Sequence, residues 1–205
     1  MFEYSDGTKV SIASMGFLRG TVVDRDNDID ETGRMVWPGS RVLGLYLTAN
    51  PHVVRSKRVL EVGAGCGVSG LIAARFAAKV VLTDRNEEVM DMLNQNIELN
   101  SLQDKAEGMV MKWVDDVPAL KQKYPPFETI IGSDVIYPEH SHLIPALFET
   151  VDAALACEES SLFVISFIPR TAGLKHKVLK HADKFGFACE QVPTEEYTTQ
   201  AAQEY

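Results

Sequence analysis

The chain has 205 residues, and its 45% hydrophobic and 24% charged residues are ordinary for a single globular domain. The formal net charge of −9 argues against a broad phosphate-binding face, so we do not expect nucleic acid as a partner. No stretch approaches about 18 consecutive apolar residues, so we expect no membrane-spanning helix. The first residues do not resemble a secretory signal, and the three cysteines are widely spaced. We therefore expect a reduced intracellular protein, cytoplasmic or also nuclear.

The N-terminal region reads differently from the rest of the chain. We predict an N-terminal β cap over residues 1–40 and the main domain over residues 41–205. The cap contains three short strand candidates, separated by glycine turns, at Phe2–Tyr4, Lys9–Ala13 and Leu18–Val23.

From Ser40 onward the hydrophobic pattern alternates between helix and strand. Strands are predicted at residues 58–63, 79–84, 107–113, 128–134, 161–168 and 187–193. Helices are predicted from Ser40 to Asn50 and at residues 68–77, 87–100, 141–156 and 173–185. This alternation predicts an α/β fold, in which a mostly parallel Rossmann-like sheet carries helices on both faces.

The segment from Arg58 to Asp84 reads as strand, glycine turn, helix and second strand. Gly63, Gly65 and Gly67 follow the first strand at alternate positions, where they let the backbone turn and a ligand approach closely. The helix that follows points its N-terminal amides at this turn. Asp84 ends the second strand, where an acid can accept hydrogen bonds from both hydroxyls of a ribose. The segment predicts a nucleoside-cofactor site.

A literal dinucleotide fingerprint is also present in this segment. Gly65, Gly67 and Gly70 satisfy G-x-G-x-x-G, and Asp84 lies about 20 residues further on. An NAD-dependent oxidoreductase is therefore one alternative. The chain lacks a Tyr-x-x-x-Lys or comparable hydride-transfer constellation, which counts against it.

The register of the turn favours another cofactor. The strand ends at Gly63, and counting from there places Val68 at the third fingerprint position, where its side chain would crowd a pyrophosphate. Glu61, inside the strand, is unfavourable beside a pyrophosphate but suits a ligand that carries an ammonium and a sulfonium. The alternative for Glu61 is an ion pair with Arg58 or Lys79. The pattern E-x-G-x-G-x-G favours S-adenosylmethionine.

Three further motifs point to one group of enzymes. They are Val36-Trp37-Pro38, Lys112-Trp113 and Asp134-Val-Ile-Tyr137. With VLEVGAGCG and VVLTD, they make residues 30–190 resemble the seven-strand, S-adenosylmethionine-dependent methyltransferases of the methyltransferase-like protein-lysine family, which is of the family-16 type with a D-x-x-Y motif. The resemblance implies methyl transfer to a lysine of a non-histone protein, by a monomer that needs no metal. It also implies a last antiparallel strand, which we expect to be missing because the sequence stops at Tyr205, soon after the predicted strand 187–193.

The resemblance assigns a role to individual residues. The catalytic pair is Asp134, which holds the amine, and Tyr137, which offers an aromatic face. The cofactor contacts are expected from Trp37, Glu61, Gly63, Ala64, Gly65, Asp84, Trp113 and Ser133. Within this set, Trp113 is expected to stack on adenine, Asp84 to bind the ribose, and the turn to hold the methionine carboxylate.

Other readings stay open at this level. An arginine methyltransferase of the same family would present paired glutamates, and only Glu139 lies near Asp134 in the sequence. A small-molecule methyltransferase and a non-catalytic binding module are also compatible with the fold. His140 and His142 are interpreted as solvated residues at the start of a helix.

Overall fold

The structure, a computed structural model, describes residues 1–3, 6–14 and 32–193. The β-strands are β1 (Phe2–Glu3), β2 (Lys9–Val10), β3 (Arg58–Val62), β4 (Lys79–Asp84), β5 (Ala106–Val110), β6 (Thr129–Ser133) and β7 (Leu162–Ser166). The α-helices are α1 (Pro38–Ala49), α2 (Val68–Ala74), α3 (Glu87–Leu99), α4 (Val117–Lys123), α5 (Ile144–Ala154) and α6 (Leu174–Lys184). Short 3-10 helices occupy Thr32–Arg34, Pro51–Val53 and Pro138–Leu143.

Five of the strands form one parallel sheet in the order β5-β4-β3-β6-β7. The chain first builds outward from β3 through β4 to β5, and then returns to the other side of β3 with β6 and β7. The strand order therefore reverses between β3 and β6. In open parallel sheets, ligands bind outside the carboxyl ends of the strands at this point.

The sheet is buried on both faces, which confirms the predicted α/β architecture. Residues that alternate along each strand belong to two separate apolar clusters, as the two-residue period of a strand requires. Val59, Val80 and Leu82 pack with α1, α2 and α3, whereas Leu60 and Val81 pack with α4, α5 and α6. Helices therefore cover both faces of the sheet, and the carboxyl ends of its strands remain for a ligand.

Most predicted elements are confirmed within a few residues. Asn86 caps α3 as expected, because its side chain accepts a hydrogen bond from the Glu88 amide at 2.9 Å. Helix α4 was not predicted, since it is short and buries only Val117 and Leu120. The predicted helix 141–156 begins instead as the 3-10 segment before α5.

Two strand predictions need correction. Residues 187–193 form no strand, because Gly186 ends the preceding helix with φ +77° and Phe187 turns inward to contact the Phe148 ring at 6.0 Å. Strand β5 stops at Val110, so Trp113 lies in a turn rather than at the strand end. Within the described part of the chain, the large sheet contains no antiparallel strand.

The N-terminal segment is tied to α3 by two asparagines one helical turn apart. Asn100 accepts from the Ser11 amide at 2.9 Å and donates to its carbonyl at 2.7 Å. Asn96 makes the same pair of bonds with Ala13, at 2.7 and 3.1 Å, and also donates to the Cys66 carbonyl at 2.9 Å. The two amide side chains therefore replace the backbone of a neighbouring strand.

The strands predicted at Lys9–Ala13 and Phe2–Tyr4 correspond to the small antiparallel pair β1–β2. Leu18–Val23 and Tyr4 lie outside the described residues. Across residues 1–3, 6–14 and 32–193, no helix is long and apolar enough to span a membrane.

Candidate active site

A cavity of about 640 Å³ opens at the carboxyl ends of β3, β4 and β6, where the strand order reverses. Its volume is in the range of small-molecule sites. It is lined by the glycine turn, by the ends of β4 and β6, by residues 32–40, and by the turns that contain Trp113 and Tyr137. The lining residues therefore come from five separate segments of the chain, since the end of β6 and the turn with Tyr137 are continuous.

The glycine turn after β3 forms the floor of the cavity. Gly63 and Gly67 adopt φ values of +64° and +82°, which side-chain-bearing residues rarely adopt. A Cβ added to Gly63 would lie 2.6 Å from Val135 Cγ1, so there is no room for a side chain. The turn leads directly into α2, whose first residue, Val68, also lines the cavity.

Asp84 fixes the turn from the neighbouring strand. Its Oδ2 accepts from the Gly65 amide at 3.0 Å, and its Oδ1 accepts from the Asn86 amide at 3.0 Å. The carboxylate is half-buried at the cavity wall.

Glu61 lies elsewhere than the sequence interpretation placed it. Its side chain is fully buried and does not line the cavity; its Oε2 accepts from the Gly70 amide of α2 at 2.9 Å. Burial raises the pKa of the carboxyl to about 8, against the effect of this amide and with a further contribution from Asp84. Glu61 is thus a mostly neutral group under α2 at pH 7, and not an anion facing a ligand.

This position also explains the dinucleotide-like fingerprint. A Cβ on Gly70 would collide with Glu61 Oε2 and with Leu82, so glycine is required here for helix–strand packing. Neither Arg58 nor Lys79 forms the ion pair with Glu61 that the sequence offered as an alternative. Arg58 pairs with Glu128 at 3.4 Å, and Lys79 pairs with Glu107 at 3.7 Å.

Trp113 is held against the cavity by a constrained turn. The next residue, Val114, has φ +69°, an unusual value for a β-branched residue. The Val114 amide donates to Thr150 Oγ1 at 2.8 Å, and Thr150 is buried in α5. The Asp116 carboxylate accepts from the Lys112 amide at 2.7 Å and closes the turn. Backbone strain of this kind often occurs at functional sites.

Residues 32–37 lie across the glycine turn. Trp37 Nε1 donates to the Thr32 carbonyl at 2.9 Å, which fixes the plane of the indole ring. The Gly33 carbonyl accepts a contact from Cys66 Sγ at 3.6 Å, and it would lie 2.9 Å from a Cβ on Gly65. This segment therefore belongs to the wall of the cavity, although the sequence places it in the predicted cap.

Asp134 links β6 to the start of α1. It adopts φ +50°, and its Oδ2 accepts from the Gly39 amide at 2.6 Å. Ser166 Oγ donates to the Gly39 carbonyl at 2.6 Å, so both backbone polar groups of Gly39 are held. Burial raises the pKa of Asp134, while the Gly39 amide, Arg170 and the Ile168 amide oppose the rise. The carboxylate has a fixed orientation in a partly desolvated position.

Tyr137 and His140 form the wall that faces Trp37 and Asp134. Their ring centroids lie 4.5 Å apart at an angle of 45°, and both rings line the cavity. His140 was interpreted from the sequence as solvated, yet it is half-buried; His142, which contacts it at 5.9 Å, is the exposed member. The 3-10 segment Pro138–Leu143 turns His140 back toward the cavity.

Comparison of the chain with protein families identifies its class. Residues 22–181 match the family described as lysine methyltransferase. The chain belongs to this family. The match covers more than half of the chain and includes every element that lines the cavity.

Relatives of this lysine methyltransferase family carry several substrate names. The chain is 30% identical over 179 residues to a calmodulin-lysine N-methyltransferase of Arabidopsis thaliana, covering 84% of this chain and 57% of the relative. It is 27% identical to the protein-lysine N-methyltransferase EFM3 of Chaetomium thermophilum, covering 77% and 48%. It is 36% identical over 110 residues to the histone-arginine methyltransferase METTL23 of Mus musculus, covering 51% and 42%. The chain spans about half the length of these curated relatives.

Solved structures share the fold. An O-methyltransferase from Bacillus cereus, in complex with SAH, superposes with a TM-score of 0.55 at 22% identity, covering 74% of this chain and 68% of that one. A putative RNA methyltransferase from Pyrococcus horikoshii gives a TM-score of 0.56 at 14% identity, covering 70% and 63%. At these identities the likeness establishes the methyltransferase fold alone.

The predicted site residues can now be located. The cavity brings together Trp37, Gly63, Ala64, Gly65, Asp84, Trp113, Ser133, Asp134 and Tyr137, whereas Glu61 lies outside it. Sequence reasoning missed Met35, Cys66, His140, Leu143 and Ala146, which also line the cavity. Leu143 follows His140 by roughly one helical turn and Ala146 follows Leu143 by another, and this spacing was the available sign that one side of 140–146 faces the site. The described residues contain no group of His, Cys, Asp or Glu side chains that could hold a metal ion.

Proposed function

We propose that this protein transfers a methyl group from S-adenosylmethionine to a lysine side chain of a non-histone protein. The observation that carries the proposal is the single cavity in which a glycine turn and Asp84 meet Asp134, Tyr137 and an indole ring. Membership of the lysine methyltransferase family supports it.

The cofactor end of the cavity suits S-adenosylmethionine. The turn excludes side chains at Gly63 and exposes backbone amides at the start of α2, where a carboxylate is favoured. Asp84 is positioned for the ribose hydroxyls, and Trp113 offers a ring for adenine. When bound, S-adenosylmethionine supplies a methyl group on a sulfonium, which is open to attack by an amine.

The acceptor end must orient an amine and exclude water from it. A lysine ammonium has a pKa of about 10.4, so it must lose its proton before it attacks. Asp134 favours the charged form of a nearby amine, because opposite charges attract, and therefore does not serve as the base. Its fixed carboxylate instead orients the amine and stabilises the positive charge that returns to nitrogen as the methyl group arrives. The proton lost beforehand leaves to solvent.

Aromatic rings complete this end. Tyr137 and Trp37 both line the cavity, and their faces attract methylated ammonium groups. A cationic acceptor thus finds one carboxylate and two rings in this part of the cavity.

An arginine acceptor is the second candidate. The histone-arginine methyltransferase METTL23 is 36% identical over 110 residues, which favours keeping it. Against it, Glu139 is exposed and does not line the cavity, so the residues that the structure describes present no pair of glutamates to a guanidinium. The family match and the lack of a hydride-transfer constellation in the sequence both count against the NAD alternative.

The partner we propose is a lysine-bearing protein, and the enzyme acts as a monomer. A reducing compartment, the cytoplasm or also the nucleus, is supported by the free thiols of Cys66, Cys157 and Cys189. The net charge of −9 supports a basic protein surface over nucleic acid as the partner.

The test is incubation of the purified protein with methyl-labelled S-adenosylmethionine and a methyl-poor cell lysate. Wild type is compared with Asp134→Ala and with Asp152→Ala, a control on the exposed side of α5. We expect a discrete labelled protein band, lost in Asp134→Ala and retained in the control, that yields methyl-lysine on hydrolysis. Methyl-arginine would move the assignment to the second candidate. A protein that does not bind S-adenosylhomocysteine would contradict the proposal.

A further inference from the structure

The acceptor end of the cavity already has a cationic side chain beside it. The guanidinium carbon of Arg170 lies 5.0 Å from the centroid of the Trp37 ring. The positive charge of the same guanidinium also acts to lower the pKa of Asp134, against the rise that burial causes. Arg170 thus contacts one of the two rings assigned above to a substrate amine, and its charge acts on the carboxylate.

The surroundings of Arg170 show that this placement is easily reversed. Its side chain is exposed and is not part of the cavity lining, although the ring that it contacts is. Trp37 is fixed by its bond to Thr32, and Asp134 by its bond to Gly39, so the ring and the carboxylate stay in place when Arg170 leaves.

We propose that Trp37 and Asp134 form an entry subsite for the cationic side chain of the substrate, and that Arg170 occupies this subsite until the substrate displaces it. The identity of the substrate in this inference rests on the proposed function. The existence of the subsite does not depend on it. It predicts that Arg170 sets how tightly a cationic acceptor binds. A side chain without charge cannot replace the guanidinium, so the subsite selects cationic substrates.

The test measures binding of n-butylammonium, which resembles a lysine side chain, without cofactor. Trp37 and Trp113 are the two tryptophans of the chain, so a Trp113→Phe background makes Trp37 the only indole reporter. Arg170→Ala, Arg170→Gln and Arg170→Lys are compared in this background. Arg55→Ala is the matched control, since exposed Arg55 lies 5.9 Å from the Phe76 ring and away from the cavity.

We expect Arg170→Ala and Arg170→Gln to bind n-butylammonium about threefold to fivefold more tightly than the background protein, as expected for the loss of one exposed cation–ring competitor. Arg170→Lys should fall between them and the background, because an ammonium stacks less well than a guanidinium. Arg55→Ala should not differ from the background, and n-butanol should give no difference in any variant.

Unchanged or weaker n-butylammonium binding in both Arg170→Ala and Arg170→Gln would overturn the proposal, as would absence of binding in every variant. A thermal melt of each variant confirms that it is folded. S-adenosylhomocysteine binding, measured by calorimetry on wild type and on Arg170→Ala with Trp113 retained, separates the two claims. Its absence would contradict the proposed function alone, whereas an unchanged ammonium affinity with intact S-adenosylhomocysteine binding would contradict the Arg170 subsite alone.

Discussion

The two ends of the cavity are built in different ways. The cofactor end consists of the glycine turn and Asp84, and Glu61 is buried behind it beneath α2; this end depends on backbone amides and on neighbouring strands of one sheet. The acceptor end consists of Trp37, Asp134, Tyr137 and His140, which come from the start of α1 and from the loop after β6. The comparison teaches that cofactor binding is fixed by the core of the fold, whereas acceptor recognition depends on loops that can vary without disturbing it.

The largest effect should come from beneath the cofactor end, at Glu61. The ordinary pKa of the Glu61 carboxyl is 4.5, and burial raises it to about 8 in the folded protein. Between these two pH values the carboxyl is ionised in the unfolded chain but not in the folded protein, so the free energy of unfolding falls as pH rises through this range. At pH values above about 8 the loss of unfolding free energy is complete and amounts to about 5 kcal/mol, at 1.36 kcal/mol per pH unit. Glu61→Gln keeps an acceptor for the Gly70 amide and should be more stable than wild type by up to that amount at about pH 9.

Denaturant unfolding at about pH 5 and about pH 9 measures this difference. Glu149→Gln, on the exposed side of α5, is the control and should show no such pH dependence. A stability difference between Glu61→Gln and wild type that is equal at both pH values would mean that Glu61 is not the neutral, buried group described above.

The next largest effect should separate the two ends. Asp84→Ala removes the acceptor of the Gly65 and Asn86 amides together with the carboxylate that we propose for the ribose. Hydrogen bonds to charged groups contribute about 1.5–3 kcal/mol each, so we expect S-adenosylhomocysteine affinity to fall about 100-fold or more. Calorimetry measures this loss, with exposed Asp91→Ala as the control. Binding of n-butylammonium should stay unchanged; a parallel loss would show that the two ends are not independent.

A smaller effect should follow from the asparagine pair on α3. Asn96→Ala loses both bonds to Ala13 and the bond to the Cys66 carbonyl, and should lower the free energy of unfolding by about 2 kcal/mol. Asn100→Ala releases Ser11 but leaves the bond to Cys66, so it is a matched control for the glycine turn. Thermal melts measure the loss of stability in both variants. Calorimetry should show a severalfold loss of S-adenosylhomocysteine affinity in Asn96→Ala only. Equal losses in both variants would mean that Asn96 does not position the turn.

The smallest effect concerns the cap of α3. Asn86→Ala removes the side-chain acceptor of the Glu88 amide and should cost about 1 kcal/mol of stability, as measured by chemical denaturation. Asn86→Asp keeps an acceptor and should restore most of it. Equal destabilisation by both substitutions would contradict a capping role.

The same contrast explains how much the sequence predicted. The β3–α2–β4 unit was predicted with accurate bounds, because glycines, an apolar run and a terminal acid each have one local physical meaning. Glu61 was misplaced, since the sequence shows that it lies in a strand but not which neighbour its side chain meets. Its contact with Gly70 depends on how closely α2 packs on the sheet.

The residues of the acceptor end were harder to predict from the sequence. Asp134 and Tyr137 were named from a family motif, and no local pattern joins Asp134 to Gly39, which is 95 residues away. His140 was missed because its direction is set by the 3-10 segment, which has no strong periodicity. Arg170 had no motif at all; only the path of the chain after β7 brings it to Trp37.

The most direct test of the two-ended cavity is calorimetric titration of S-adenosylhomocysteine into wild type and Asp134→Asn, followed by the labelled-methyl assay on both. Asparagine keeps an acceptor for the Gly39 amide but removes the charge. We predict affinities for S-adenosylhomocysteine within about twofold of each other, together with a loss of methyl transfer of about 100-fold or more. If Asp134→Asn weakened S-adenosylhomocysteine binding as strongly as it reduced transfer, the division into a cofactor end and an acceptor end would be wrong.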